Sequence, residues 1–292
     1  MPEDQHETDK YSTKIQALVS ARTIPYVYSK SLGADATEAL LATKPHVVLI
    51  VGWRSLLSQR IYEVPPMGAW AAHDSNLPSY RGFAPLNWAV INGEKRTGVT
   101  LFKVDGGMDT GLVIGRKSVS IKKTETAPQV YEKVIAATNI VVTDALDRLE
   151  NGTLSLARQN QAAATYTCPR IPDDGCIDWS RPAIEIDRLI RALAPPYPGA
   201  FSFHGGSFFR VISGEMPKRQ LKYVGIIPGR PVKIHKEVGV EVLTGDGTII
   251  IKEIMTEDGT VMTADKLIRS TRSTLGLSLL ELYRLIRSRG HR

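Results

Sequence analysis

The sequence predicts an α/β chain in two parts, an open and mainly parallel sheet followed by a small antiparallel barrel. Three observations carry this. Helical and strand-like patterns alternate from Tyr11 to Leu149, which is the signature of strands connected by helices. The run from His46 to Val51 is almost continuously aliphatic, as in a strand buried on both faces. After Gly199 the pattern changes to short apolar segments at regular intervals, separated by turn residues.

Residues 1 to 10 lack apolar periodicity and read as a frayed tail. Ile15, Leu18 and Val19 fall at helical spacing within Tyr11 to Ala21, and Ile24 to Val27 reads as a short strand. A second helix spans Asp35 to Thr43 and is closed by Lys44-Pro45, ahead of the strand ending at Val51. A short helix over Ser55 to Tyr62 leads through Pro65-Pro66 to an apolar strand at Ala69 and to His73. The loop that follows is punctuated by Pro78, Gly82 and Pro85, whose restricted or permissive φ angles leave little room for regular structure. Leu86 to Ile91 gives one or two helical turns, Gly98 to Val104 a strand, and Leu112 to Ile121 another. Ala127 to Leu149 is a long amphipathic helix stopped by Asn151-Gly152.

A change of composition at Gln159-Asn-Gln-Ala-Ala-Ala divides the chain into domains over 1–160 and 171–292, with a linker at 161–170. In the second domain a helix from Pro182 to Ala194 precedes strands at Ala200 to Phe203, Ser207 to Ile212, Val232 to Ile234, Val240 to Leu243 and Thr248 to Ile254. Gly245-Asp246-Gly247 signals a hairpin between the last two. A helix from Ser278 to Arg289 closes the chain.

At 292 residues, 42% hydrophobic and 23% charged, the composition is that of a globular protein able to bury two cores. No stretch reaches the roughly 18 consecutive apolar residues of a membrane span, and the acidic start MPEDQHETDK is unlike a signal peptide. A cytoplasmic location is therefore expected. Cys168 and Cys176 read as free thiols, and they lack the partners of a metal site. The net charge of +7 is uneven, with 19 Lys+Arg against 14 Asp+Glu from Gln161 onward. Such an excess fits either a polyanionic partner such as RNA or a solvated surface.

The candidate chemistry lies between Ala69 and Gly111. His73 follows one strand and Asp109 follows another. Loops at the carboxyl ends of parallel strands converge on a common crevice, so the two could meet and manage proton transfer, with a protonated His73 also stabilising an oxyanion. The other reading of the same spacing is that His73 caps a loop and Asp109 a turn.

The stretch HDSNLPSYRGFAPLNWAVINGEKRTGVTLF, followed by VDGGMDTG, closely resembles the folate-dependent formyltransferase family. His73, the Asn76-Leu-Pro78 segment, Tyr80-Arg81-Gly82, Ala84-Pro-Leu-Asn-Trp88 and Asp109-Thr-Gly111 follow the order of that family's motifs. YTCPRIPDDGCIDWSRPAIEIDRLIRAL and YPGAF are similar to the family's C-terminal domain. The resemblance implies a Rossmann-like, doubly wound, mainly parallel sheet and a C-terminal oligonucleotide-binding-type (OB-type) barrel. It implies 10-formyltetrahydrofolate as formyl donor, no metal, and a primary amine as acceptor, either initiator methionyl-tRNA or a nucleotide-linked amino sugar.

It further implies that His73 holds the tetrahedral oxyanion while Asp109 tunes it and helps remove the amine proton. Folate contacts are implied at Ser55, Leu56 and Leu57, at Pro78, Ser79, Tyr80 and Arg81, and at Asp105, Gly106, Gly107 and Met108. For Arg81 a plain loop arginine is the competing reading.

Two departures from the pattern stand out. Ala71 occupies the position of the family's catalytic asparagine, and losing such a donor elsewhere costs on the order of 10²–10³ in rate. Asn76 is the candidate replacement, its alternative being a solvent-facing loop residue. The second departure is at the start, where the family's opening strand, helix and strand are missing and the sheet is expected to lack its first strand. Lys266, Arg269, Arg272, Arg284, Arg287, Arg289 and Arg292 favour a methionyl-tRNA acceptor. The acidic N-terminus and Ala71 keep the amino-sugar acceptor open, as well as a folate- or RNA-binding relative weakened in catalysis. Oligomeric state has no signature here.

Overall fold

The computed structural model describes residues 11–26, 32–53, 57–277, 283 and 287. They form two compact units, the first comprising 1–89, 94–123 and 129–170, the second 90–93, 124–128 and 171–292. The expected N-terminal tail, Val27, Ser55, Leu56 and most of the closing helix lie outside the described residues.

In the first unit, α1 (Tyr11–Ala21) and α2 (Ala34–Ala42) precede β1 (Val48–Val51), α3 (Gln59–Glu63) and β2 (Ala69–His73). Then come β3 (Arg81–Gly82), α4 (Pro85–Ile91), β4 (Arg96–Lys103), β5 (Val113–Ser120), α5 (Ala127–Glu150) and β6 (Tyr166–Thr167). The main sheet has the order β1-β2-β4-β5. It is mixed: β1 and β2 are parallel, but β4 runs antiparallel to both β2 and β5.

β4 is one of the two interior strands and is buried from Thr97 to Phe102. Along α5 the buried residues Val130, Val134, Ala137, Val141 and Ala145 recur every three or four positions, giving the single apolar stripe that lays a helix on a sheet. A Cβ at Gly115 on β5 would come within 2.9 Å of Val141, so the helix passes too close for a side chain there.

β1 departs from the expectation of burial on both faces. Its residues alternate, with Leu49 41% and Val51 66% exposed. Among the described residues it pairs only with β2, so it is an edge strand and one face is uncovered. Likewise α1 forms, but Ile15 and Leu18 are exposed, and Ile24 to Tyr26 are not a strand. The stretch expected as a linker carries a 3-10 turn at Gln161–Ala163 and the strand β6, which pairs with β3.

The second unit contains α6 (Ala183–Ala192), β7 (Ala200–His204), β8 (Ser207–Glu215), β9 (Pro231–His235), β10 (Gly239–Leu243), β11 (Thr248–Thr256), β12 (Val261–Thr263) and α7 (Ala264–Leu267). Its sheet has the order β7-β8-β11-β10-β9 and is antiparallel throughout, with β10 and β11 joined through Gly245-Asp246-Gly247 as expected. Among the described residues the sheet does not close into a barrel. β11 is paired along one edge by β8 and along the other by β10 and then β12, so β7 and β9 end the strand order without pairing with each other, and the outer edge of β7 accepts from Ile177 N and Gly276 N. The core gathers Ile186, Ile190 and Leu193 of the α6 region with Val211, Val242, Ile249, Ile251 and Ile254.

Candidate active site

β2 places His73 at its carboxyl end. Trp70 is fully buried on the opposite face and donates its indole N–H to Met67 O at 3.2 Å, which anchors the strand. Alternation along the strand puts residue 71 on the His73 face, so Ala71 presents a methyl group where an amide would stand beside the imidazole.

The second half of the pair arrives by a different route from the one expected. Because β4 is antiparallel to β2, its carboxyl end lies beside Trp70, not beside His73. The chain after β4 therefore doubles back. Lys103 N donates to Leu112 O and Val104 N to Ala69 O, both at 2.8 Å, and the enclosed loop carries Asp109 to His73. Asp109 adopts φ 53°, a left-handed conformation that Asp tolerates better than most residues.

His73 Nδ1 stands 3.5 Å from Asp109 Oδ2, with side-chain exposures of 10% and 21%. His73 Nε2 lies 2.7 Å from Tyr80 O. A carbonyl only accepts, so Nε2 bears the ring proton in the neutral imidazole and Nδ1 the lone pair. Oδ2 of Asp109 also accepts from Gly82 N at 2.7 Å, a charge-assisted bond that fixes the carboxylate. Beyond 3.2 Å, the Nδ1 contact is longer than a normal hydrogen bond. Nδ1 thus faces the Asp109 carboxylate without a normal hydrogen bond to it.

Asp74 adds an acidic group that the sequence reading passed over. Burial pushes its carboxyl above the usual carboxylate range, partly offset by the neighbouring His73. Its main-chain carbonyl accepts from Thr97 Oγ1 at 3.2 Å.

The other candidates divide. Tyr80 contributes its carbonyl to His73, and its φ of 60° turns that carbonyl inward. Pro78 O accepts from Thr165 N, and Ser79 O from Ser75 Oγ, so both serve the loop's own structure. Asp105 to Met108 form an exposed turn closed by Asp105 Oδ1, which accepts from Gly107 N and Thr110 Oγ1. Leu57 is half-buried.

Two expectations are corrected. Asn76 is not turned toward His73: its Nδ2 donates to Thr97 O and its Oδ1 accepts from Ser118 Oγ, both at 2.8 Å, tying the loop to β4 and β5. Arg81 is neither a surface arginine nor available to a ligand. It is fully buried and donates to Gln159 Oε1 and to the Tyr166 hydroxyl. Gln159 and Gly82 are the contributors missed from the sequence. Gln159 lies 78 residues from Arg81, and no local pattern marks such a contact. Among the described residues no cluster of His, Cys, Asp and Glu could hold a metal ion, and both cysteines are free.

A family model described as formyl transferase matches residues 7–146, and one described as formyl transferase, C-terminal domain, matches residues 171–272. Among solved structures, HypX from Aquifex aeolicus in complex with tetrahydrofolic acid is 19% identical with a TM-score of 0.61, over 80% of this chain and 40% of HypX. The chain therefore spans less than half of that relative. Methionyl-tRNA formyltransferase from Clostridium thermocellum is 22% identical with a TM-score of 0.57, over 81% of this chain and 96% of that one. An N-formyltransferase from Helicobacter canadensis, in complex with folinic acid and dTDP-3-aminofucose, is 24% identical with a TM-score of 0.53, over 68% and 71% of the two chains. At these identities the likeness is one of fold.

Proposed function

This chain belongs to the formyl transferase family, and from that premise we propose that it transfers a formyl group from 10-formyltetrahydrofolate to a primary amine. The observation that carries the reading is the His73–Asp109 pair, with Nε2 held by Tyr80 O and Nδ1 3.5 Å from the Asp109 carboxylate. Folate supplies an activated formyl carbon. The protonated Nδ1 of His73 holds the oxyanion formed when the amine nitrogen bonds to that carbon. Asp109 balances the imidazolium charge and helps take the amine proton, which returns to the folate nitrogen as its bond to the formyl carbon breaks. The exposed Asp105 to Met108 turn, Leu57 and the outward part of the Pro78 to Tyr80 loop are the folate contacts in this reading, whereas Arg81 and Asn76 are committed elsewhere. We read the mixed sheet as the Rossmann-like element of the family and the antiparallel unit as its OB-type domain.

For the acceptor we favour methionyl-tRNA over a nucleotide-linked amino sugar, on the basic excess after Gln161 and the cluster around Lys266, Arg269 and Arg272. Ala71 favours a second reading, a folate-binding relative weakened in catalysis, because the His73 face of β2 carries no amide. Formyl transfer measured with wild type and His73→Ala separates these. Turnover that disappears in the variant supports the enzyme; equal background in both supports the weakened relative. Acceptor binding that falls steeply with salt indicates tRNA, and a shallow slope the sugar.

A further inference from the structure

The His73–Asp109 pair depends on two residues in left-handed backbone, Tyr80 at φ 60° and Asp109 at φ 53°. Each such non-glycine conformation costs on the order of 1 kcal/mol or more and persists only where its surroundings hold it. The holding groups come from one place, the stretch from Gln159 to Thr167 that follows α5.

Gln159 is buried, 8% exposed. Its Nε2 donates to Asp109 O and Gly111 O, both at 2.8 Å, bridging the two ends of the Asp109 turn. Its Oε1 accepts from Arg81 Nη2 at 2.7 Å and Nε at 3.3 Å. Guanidinium has only donors and the carbonyls only accept, so the amide can sit only this way round, with its full capacity of two donated and two accepted bonds used. Thr165 holds the other partner: its Oγ1 accepts from Tyr80 N at 2.8 Å and its carbonyl from Arg81 N at 2.8 Å. Gly82, whose N–H steadies the Asp109 carboxylate, is paired with Thr167.

We propose that Gln159 is a positioning residue for the candidate active site, its carboxamide clamping the Asp109 turn so that the carboxylate stays under Gly82 N and beside His73. Its bonds go to Arg81 and to the main chain of Asp109 and Gly111, so it acts on His73 through the Asp109 turn. Only the rate readout below rests on the formyl-transfer reading.

Gln159→Glu is the informative substitution, because it keeps an acceptor for Arg81 but faces Asp109 O and Gly111 O with an oxygen. Amide exchange at Gly82 reports whether the Asp109 carboxylate is still in place. The expected result is exchange about tenfold faster, kcat lowered at least about tenfold, KM for the folate within about threefold, and a melting temperature within a few degrees of wild type. Should this variant not fold, Arg81→Met/Gln159→Met removes buried charge and clamp together in apolar side chains of similar length, a swap that folds tolerate, and the same changes are expected. Unaltered Gly82 exchange with unaltered kcat overturns the proposal. So does a rate that falls only with the folded fraction, since that marks Gln159 as structural glue alone. If wild type transfers no formyl group the functional reading fails, and Gly82 exchange still decides the role of Gln159.

Discussion

Asp109→Asn removes the charge of the pair and little else. Asn adopts the left-handed backbone at φ 53° about as readily as Asp, and its amide oxygen can still accept from Gly82 N, now 2.7 Å from Oδ2. What is lost is the attraction between the carboxylate and an imidazolium 3.5 Å away. Coulomb's law at that separation gives about 5 kcal/mol at an effective dielectric of about 20 and about 1 kcal/mol in bulk water. Exposures of 10% and 21% place the pair between those limits. At about 1.4 kcal/mol per decade, the span is from about sevenfold to a few thousandfold in rate, centred near a hundredfold. The assay is steady-state formyl transfer from 10-formyltetrahydrofolate to an amine acceptor, with folate binding and thermal unfolding measured on the same preparation. We expect kcat to fall while folate affinity and melting temperature are nearly kept. A loss below about fivefold in a folded variant would refute the role assigned to the carboxylate.

Two further substitutions separate structure from chemistry. Asn76→Leu should destabilise by about 2 kcal/mol, because it strips a donor from Thr97 O and an acceptor from Ser118 Oγ. Denaturant unfolding checks this, and kcat per folded molecule should not change; a fall in turnover at unaltered stability would return Asn76 to the catalytic group. Asp74→Asn should stabilise at neutral pH. Burial raises the Asp74 carboxyl in the folded state above its usual 3.8, so the ionised form is the disfavoured one. The native contribution of Asp74 is fully present below the unfolded pKa and lost as pH rises through the folded one. The gain from Asn should therefore vanish as pH falls toward 3.8, as melting temperatures across pH 3 to 8 would reveal; a gain that does not vary with pH would sink the explanation.

Local pattern alone determined most of the elements of this chain. The apolar spacing of α5, the aliphatic run before Gly52 and the Gly-Asp-Gly turn between β10 and β11 each involve residues that are neighbours along the chain, where backbone sterics and one-sided burial act directly. The motif order from His73 to Gly111 likewise marked the pair that the fold brings together. Direction and distant partnership were decided only by tertiary structure. Nothing local distinguishes a strand antiparallel to β2 from one parallel to it, and so the return loop that delivers Asp109 was not legible. Asn76 and Arg81 read as polar loop residues, yet their partners lie on strands β4 and β5 and at Gln159, and a buried polar group is defined by what satisfies it. Gln159 itself sits in a stretch whose composition suggests a linker, and it gains its meaning only when the chain folds back onto the Asp109 turn.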